Sequence, residues 1–125
     1  LGRIGLSSDA LPVVLPVNFA LVDDQIVIRT RRGTKLAAAT RNSIVAFEVD
    51  QLDPCSGVGW SVMVQGLARE VTDPEDLAAA HAAPLSRWID PHDGRHVGIS
   101  IDVISGRRVE PADAMPADGS GGGGG

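Results

Sequence analysis

Short apolar runs and two-residue alternation dominate this chain, and both are marks of strands rather than helices. Gly2 to Leu6 is a brief β-prone piece, which Ser7-Ser8-Asp9 turns into a second run made of Val13, Val14, Leu15, Val17, Phe19 and Leu21. That run is apolar on both faces, which predicts a strand covered on both sides. A tight turn at Asp23-Asp24 leads into Ile26, Val27 and Ile28 and completes a hairpin. Pro16 lies inside the run; because proline brings no donor to a ladder, it predicts an edge, a bulge or a neighbour that is not a strand. Asn18 is a polar group in apolar company, and its amide would be satisfied either by neighbouring backbone or by the polar edge of a ligand.

The rest of the chain continues in the same idiom. Leu36 to Arg41 is a short Ala-rich helix with Asn42 as its stop, and beyond it Val45, Phe47 and Val49 share one strand face while Glu48 and Asp50 take the other. Asp53-Pro54-Cys55-Ser56-Gly57 reads as a loop. From Gly59 a long strand runs to about Val71 with Trp60, Val62 and Val64 on one face, and Gly66 marks a bulge or bend within it. A second helix opens with Asp73 as cap, Pro74 at the first helical position and Glu75 and Asp76 at the positive end of the dipole; Pro84 ends it. Leu85 to Gly94 is irregular, and a last strand covers His96 to about Ile104. About six strands with two short helices predict a mainly β fold, a small antiparallel barrel that removes open edges by closing. From Glu110 onward the Pro, Ala, Asp and Gly composition cannot build a core, so the expected organisation is one domain over 1–108 and a flexible tail over 109–125.

One segment adds chemistry to this scaffold. Thr30-Arg31-Arg32-Gly33-Thr34-Lys35 places hydroxyls, cations and a permissive glycine at the start of the first helix, where free N–H groups and the dipole favour an anion. The alternative is an ordinary helix start with Thr34 as its cap and the cations solvated. Overall charge keeps either reading local: 16 Asp and Glu outweigh 11 Lys and Arg, so no general field draws the chain to nucleic acid or to an anionic membrane. A single cysteine, Cys55, excludes an internal disulfide framework and a cysteine metal cluster and fits a reducing, cytoplasmic setting. No stretch approaches membrane-spanning length, and nothing reads as a signal peptide in a chain that opens at Leu1.

Protein-based catalysis finds no support. There is no G-x-S-x-G, Cys55 has no histidine near it in sequence, and His81, His92 and His96 lack the close spacing of metal ligands, so no metal is expected. Asp73, Glu75 and Asp76 are explained by the helix start they occupy. Any chemistry would then be carried by a bound cofactor, with the protein supplying position and electrostatics.

Five segments, taken in order, carry a resemblance: Gly2-Arg3-Ile4-Gly5, Leu11-Pro12-Val13-Val14-Leu15-Pro16-Val17-Asn18-Phe19, Gly33-Thr34-Lys35-Leu36-Ala37-Ala38, Val45-Ala46-Phe47-Glu48-Val49-Asp50, and Gly59-Trp60-Ser61-Val62 with Gly66. Together they resemble the pyridoxamine 5'-phosphate oxidase-like flavin-binding split-barrel proteins, in particular the actinobacterial and nitroimidazole-resistance-like branch. The resemblance spans Leu1 to about Arg108 and implies a six-stranded antiparallel split β-barrel that forms a homodimer with FMN at the subunit interface. It implies that Thr30, Thr34 and Lys35 meet the flavin phosphate, that Pro16, Val17, Asn18 and Phe19 lie along the isoalloxazine ring, and that Trp60 and Ser61 border it. Trp88 matches a family tryptophan near the site, with a core or interface aromatic as the alternative. Family members usually carry a helix ahead of the Gly-Arg-Ile-Gly strand, which this chain does not include, and Gly98 stands where an arginine is common. The implied activity is electron transfer between FMN and a small organic substrate; a non-catalytic flavin-binding or storage module and a deazaflavin-dependent reductase are the alternatives.

Overall fold

Two tight turns fold the first part of the chain onto itself in the computed structural model, which describes residues 1–82 and 94–111 and, for Lys35, the backbone only. Strands β1 (Gly2–Ser8) and β2 (Leu11–Val17) pair antiparallel from Gly2↔Val17 to Ser8↔Leu11, leaving Asp9 and Ala10 as the turn. Strands β3 (Phe19–Val22) and β4 (Gln25–Arg31) pair in the same way around Asp23 and Asp24. All four turn residues have positive φ, between 46° and 65°. Positive φ at both central positions is the hairpin turn whose twist matches that of the flanking strands, and aspartate tolerates it better than alanine does. The second turn is where the sequence puts it. The first lies a little later than Ser7-Ser8-Asp9.

The remaining elements are α1 (Lys35–Ala39), β5 (Ser43–Leu52), β6 (Gly59–Glu70), α2 (Pro74–Ala82), β7 (Gly94–Ser100) and β8 (Val103–Val109). Every pairing is antiparallel. The order across the sheet is β2-β1-β5-β6-β7-β4-β3, with β8 also on β6. Its two outermost strands are consecutive in the chain and joined through Asn18 alone, so the sheet curls round on itself into the split-barrel form.

Eight strands replace the six expected, because two runs that look continuous in sequence change partners midway. The run through Pro16 and Phe19 leaves β1 at Asn18 and takes up β4. The run from His96 leaves the far half of β6 and re-pairs with its near half. Between the pairs Gln65↔Val103 and Ala68↔Ile99, Gly66 and Leu67 face three residues, Ser100, Ile101 and Asp102, so the bulge sits on the strand opposite Gly66 rather than in β6. A Cβ on Gly66 would run into the backbone carbonyl of Ser100, which is why glycine is needed there. The Ser100 hydroxyl fills the break by accepting from the Leu67 N–H at 3.0 Å.

The barrel interior is filled by Ile4, Leu6, Val17, Ile26, Ile28, Val45, Phe47, Val64, Ala68, Val97 and Ile99, with Val13, Leu15, Phe19 and Leu36 packed against them. Phe19 meets Phe47 edge to face, centroids 4.9 Å apart. A smaller cluster of Ala20, Val22, Val27 and Ala80 seats α2 on the opposite face of β3 and β4. That helix begins as its sequence dictates: the Asp73 carboxylate accepts from the Glu75 N–H at 3.2 Å, and Pro74 takes the first position. One expectation fails. β2 is covered on its inner face only, with Pro12, Val14 and Pro16 exposed, because it ends the pairing order and has no second layer over it. No helix among the described residues is long and apolar enough to cross a membrane.

Candidate functional site

The residues singled out in the sequence fall into separate regions of the chain. At one end, Thr30 sits opposite Arg95 on β7, is 1% exposed, and donates a long 3.5 Å hydrogen bond to the Arg95 carbonyl. Gly33 has φ +77 with open space around it. Thr34 is the cap of α1: its hydroxyl accepts from the Ala37 N–H at 3.1 Å and donates to the Arg31 carbonyl at 2.7 Å, so its one proton is engaged. The capped-helix alternative is therefore realised for Thr34. Lys35 opens the helix, and Arg31 and Arg32 are exposed beside it.

Pro16 lies exposed on β2 opposite Arg3, in keeping with the edge position that a proline requires. Val17 is in the core, Asn18 is exposed at the break between β2 and β3, and Phe19 is half-buried against Phe47. The Asn18 amide has no hydrogen-bond partner among the described residues, so the amide seen as ambiguous in sequence faces outward. Trp60 and Ser61 open β6 between Gln51 and Asp50 on one side and Arg108 and Arg107 on the other. They line a cleft of about 880 Å³ together with Asp53 and Val58, and Trp60 remains 43% exposed. Trp88 and His92 fall outside the described residues.

Distance separates these groups. Trp60 and Glu70 bound the near and far halves of one strand, and ten residues at about 3.3 Å each put them up to about 33 Å apart along its length. Glu70 belongs to the Thr30 end, where it shares a small cavity with Thr30, Thr40 and Arg95. Within one chain, then, Trp60 and Ser61 do not converge with Thr30, Thr34 and the start of α1.

Two charged groupings went unread in the sequence. On β4 and β7, paired Arg29 and His96 meet side by side: Arg29 Nε donates to His96 Nε2 at 3.3 Å, and Nη2 lies 3.2 Å away. Since a guanidinium can only donate, Nε2 must carry the lone pair, which fixes the neutral ring with its proton on Nδ1. The His81 ring of α2 lies 4.8 Å from that of His96. Burial first, then the Arg29 charge, then His81, hold His96 down at about 4. Nothing in the alternation around His96 could have disclosed this, since the arginine that fixes it is 67 residues away. On β1 and β5, Arg3 bridges Glu48 and Asp50, each at 3.2 Å, and desolvation followed by the neighbouring Asp50 raises Glu48 from its ordinary value.

A family model described as pyridoxamine 5'-phosphate oxidase matches residues 1–108. An uncharacterized protein of Mycobacterium tuberculosis is 39% identical over 113 residues, spanning 86% of this chain and 74% of that protein. Among solved structures, the FAD binding protein from Mycobacterium smegmatis is 40% identical with a TM-score of 0.77, covering 86% of this chain and 85% of the other. A FAD-binding protein from Mesorhizobium loti is 25% identical with a TM-score of 0.73, covering 88% and 84%. The order of motifs, the curled antiparallel sheet and a match running through all but the tail agree, and the chain belongs to the pyridoxamine 5'-phosphate oxidase family of flavin-binding split-barrel proteins.

Proposed function

We propose that two copies of this chain hold flavin between them and exchange electrons between it and a small organic substrate. The observation that carries this reading is the separation along β6. Trp60 and Ser61 lie up to about 33 Å along β6 from Glu70 at the Thr30 end of the same chain, so both groups reach one flavin only if a second copy supplies one of them. The surface supports such a pairing: Met63 on β6 and Val103 and Val109 on β8 are exposed apolar positions on one face of adjoining strands, and Trp60 and Ile104 are exposed on the other. The donor set also suits a flavin. The outward Asn18 amide can both donate to and accept from a ring edge, Trp60 offers an exposed indole, and Lys35 with the cations beside it suits a phosphate. The flavin supplies the redox chemistry when bound, and the chain positions it and excludes water.

FMN is the cofactor that the family resemblance implies. FAD is the second reading, favoured because relatives at 40% and 25% identity are named for binding it. The absorption spectrum of protein purified without added cofactor, followed by mass spectrometry of what is released, decides between them. Released FMN or FAD supports the proposal, whereas a single near-violet band from a deazaflavin overturns its cofactor. Anaerobic titration with NADH or NADPH tests the electron transfer, and a flavin that is never reduced and never passes electrons on would make the protein a binding module. Sedimentation that finds only the 13.0 kDa single chain at micromolar concentration would refute the paired site.

A further inference from the structure

Where the C-terminal ends of α1 and β6 meet the start of β7, an open cleft of about 490 Å³ is lined by Arg41, Asn42, Arg69, Glu70, Thr72 and Arg95. We infer that this cleft is a binding site for a phosphate group, held by the guanidiniums of Arg41 and Arg69.

The argument begins with charge. The chain as a whole is acidic, with a formal net charge of −5, yet three arginines line this one concave place. Glu70 offsets one of them through its 3.4 Å ion pair with Arg95. Arg41 and Arg69 have no side-chain hydrogen-bond or ion-pair partner among the described residues, so the cleft keeps two uncompensated positive charges. An anion in the cleft would offset both charges. The other liners extend the same chemistry: Asn42 and Thr72 bring an amide and a hydroxyl that can donate, and Glu70 is the sole acceptor carboxylate. Planar guanidinium forks match the oxygen spacing of phosphate, which favours it over a compact halide.

The cleft is not the anion position expected at Thr34 and Lys35. Those residues lie at the opposite end of α1, and neither lines it. Arg41, Glu70 and Arg95 also line the small cavity beside Thr30, so the cleft adjoins the flavin-phosphate position expected there while Arg69, Asn42 and Thr72 lie outside it. The phosphate could come from a separate phosphorylated ligand or from the flavin itself.

Inorganic phosphate titrated into the protein by calorimetry, at ionic strength matched with chloride, tests the site. Saturable binding is expected, weakened about tenfold by Arg69→Ala or Arg41→Ala and further by the pair, with the thermal midpoint unchanged. Arg95 is left intact because removing it would strand Glu70. Repeating the titration with riboflavin or FMN present separates the sources. Competition from FMN but not from riboflavin makes the flavin's own phosphate the occupant, and undiminished binding in the presence of FMN makes it a separate ligand. No saturable binding, equal binding of chloride, or an affinity that the Arg41→Ala/Arg69→Ala variant leaves unchanged overturns the inference.

Discussion

Acidifying the protein from pH 7 towards 4 should weaken it, and His96 should account for a definable part of the loss. The residue is 2% exposed on β7, with Arg29 donating to its ring from β4 and the His81 ring of α2 tilted against it at 4.8 Å. Protonating it would bury a cation against one guanidinium and break the only arrangement in which Nε2 can accept. Burial and these neighbours lower the ring from 6.5 to about 4. In the unfolded chain it titrates near its ordinary value. Between those two values the unfolded state binds a proton that the native state refuses, so stability is full above about 6.5 and declines as pH falls towards about 4. The gap corresponds to about 2 to 3 kcal/mol. Urea unfolding at pH 7 and at pH 4.5 measures it. His96→Gln keeps an acceptor for Arg29 but cannot titrate, so its loss of stability over this range should be smaller than that of the unmodified chain by most of that amount. Identical pH dependence in both proteins would refute the reasoning, because the loss would then come from carboxylates alone.

Three further outcomes follow from local geometry. Gly66→Ala forces a methyl into the Ser100 carbonyl, a backbone atom that cannot swing away, and should cost more than about 3 kcal/mol, read as a collapsed thermal midpoint. Ala10→Gly relieves a φ of 65° in the β1–β2 turn and should raise stability by about 0.5 to 1 kcal/mol in the same assay. Lys35→Ala should weaken FMN binding by roughly tenfold to more than a hundredfold while sparing riboflavin, measured by fluorescence titration; equal losses for both would remove the phosphate role from Lys35.

Much of the fold was legible because a half-buried strand writes its burial into every second residue. Val45, Phe47 and Val49 face inward as their spacing requires, and Asp23-Asp24 turn where two aspartates can hold positive φ. What failed was strand identity. Nothing local distinguishes one twelve-residue strand from two that part at Asn18, since the difference is whether β1 or β4 lies alongside. Gly66 shows the same limit: its lack of a side chain announced a close approach, but the approaching backbone belonged to Ser100 on another strand. The Arg29–His96 pair and the three-arginine cleft were invisible for the same reason, each being assembled from elements far apart in the chain.

The separation along β6 allows a test of the paired site that needs no structure of the complex. If each flavin takes Lys35 from one copy and Trp60 from the other, a two-fold dimer contains two equivalent sites, each drawing on both chains. A Lys35→Ala dimer and a Trp60→Ala dimer should then both bind FMN poorly, since every site in either lacks one of the two side chains. Mixing the variants and letting subunits exchange changes the arithmetic. In a mixed dimer one site receives both substitutions, while the other receives an intact Lys35 from the Trp60→Ala chain and an intact Trp60 from the Lys35→Ala chain. Tight FMN binding should therefore return at one site per mixed dimer. Random exchange makes half of all dimers mixed, so about a quarter of the total sites should recover wild-type affinity. If a single chain supplied both residues, every site would stay defective however the chains were shuffled, and the mixture would bind no better than its components.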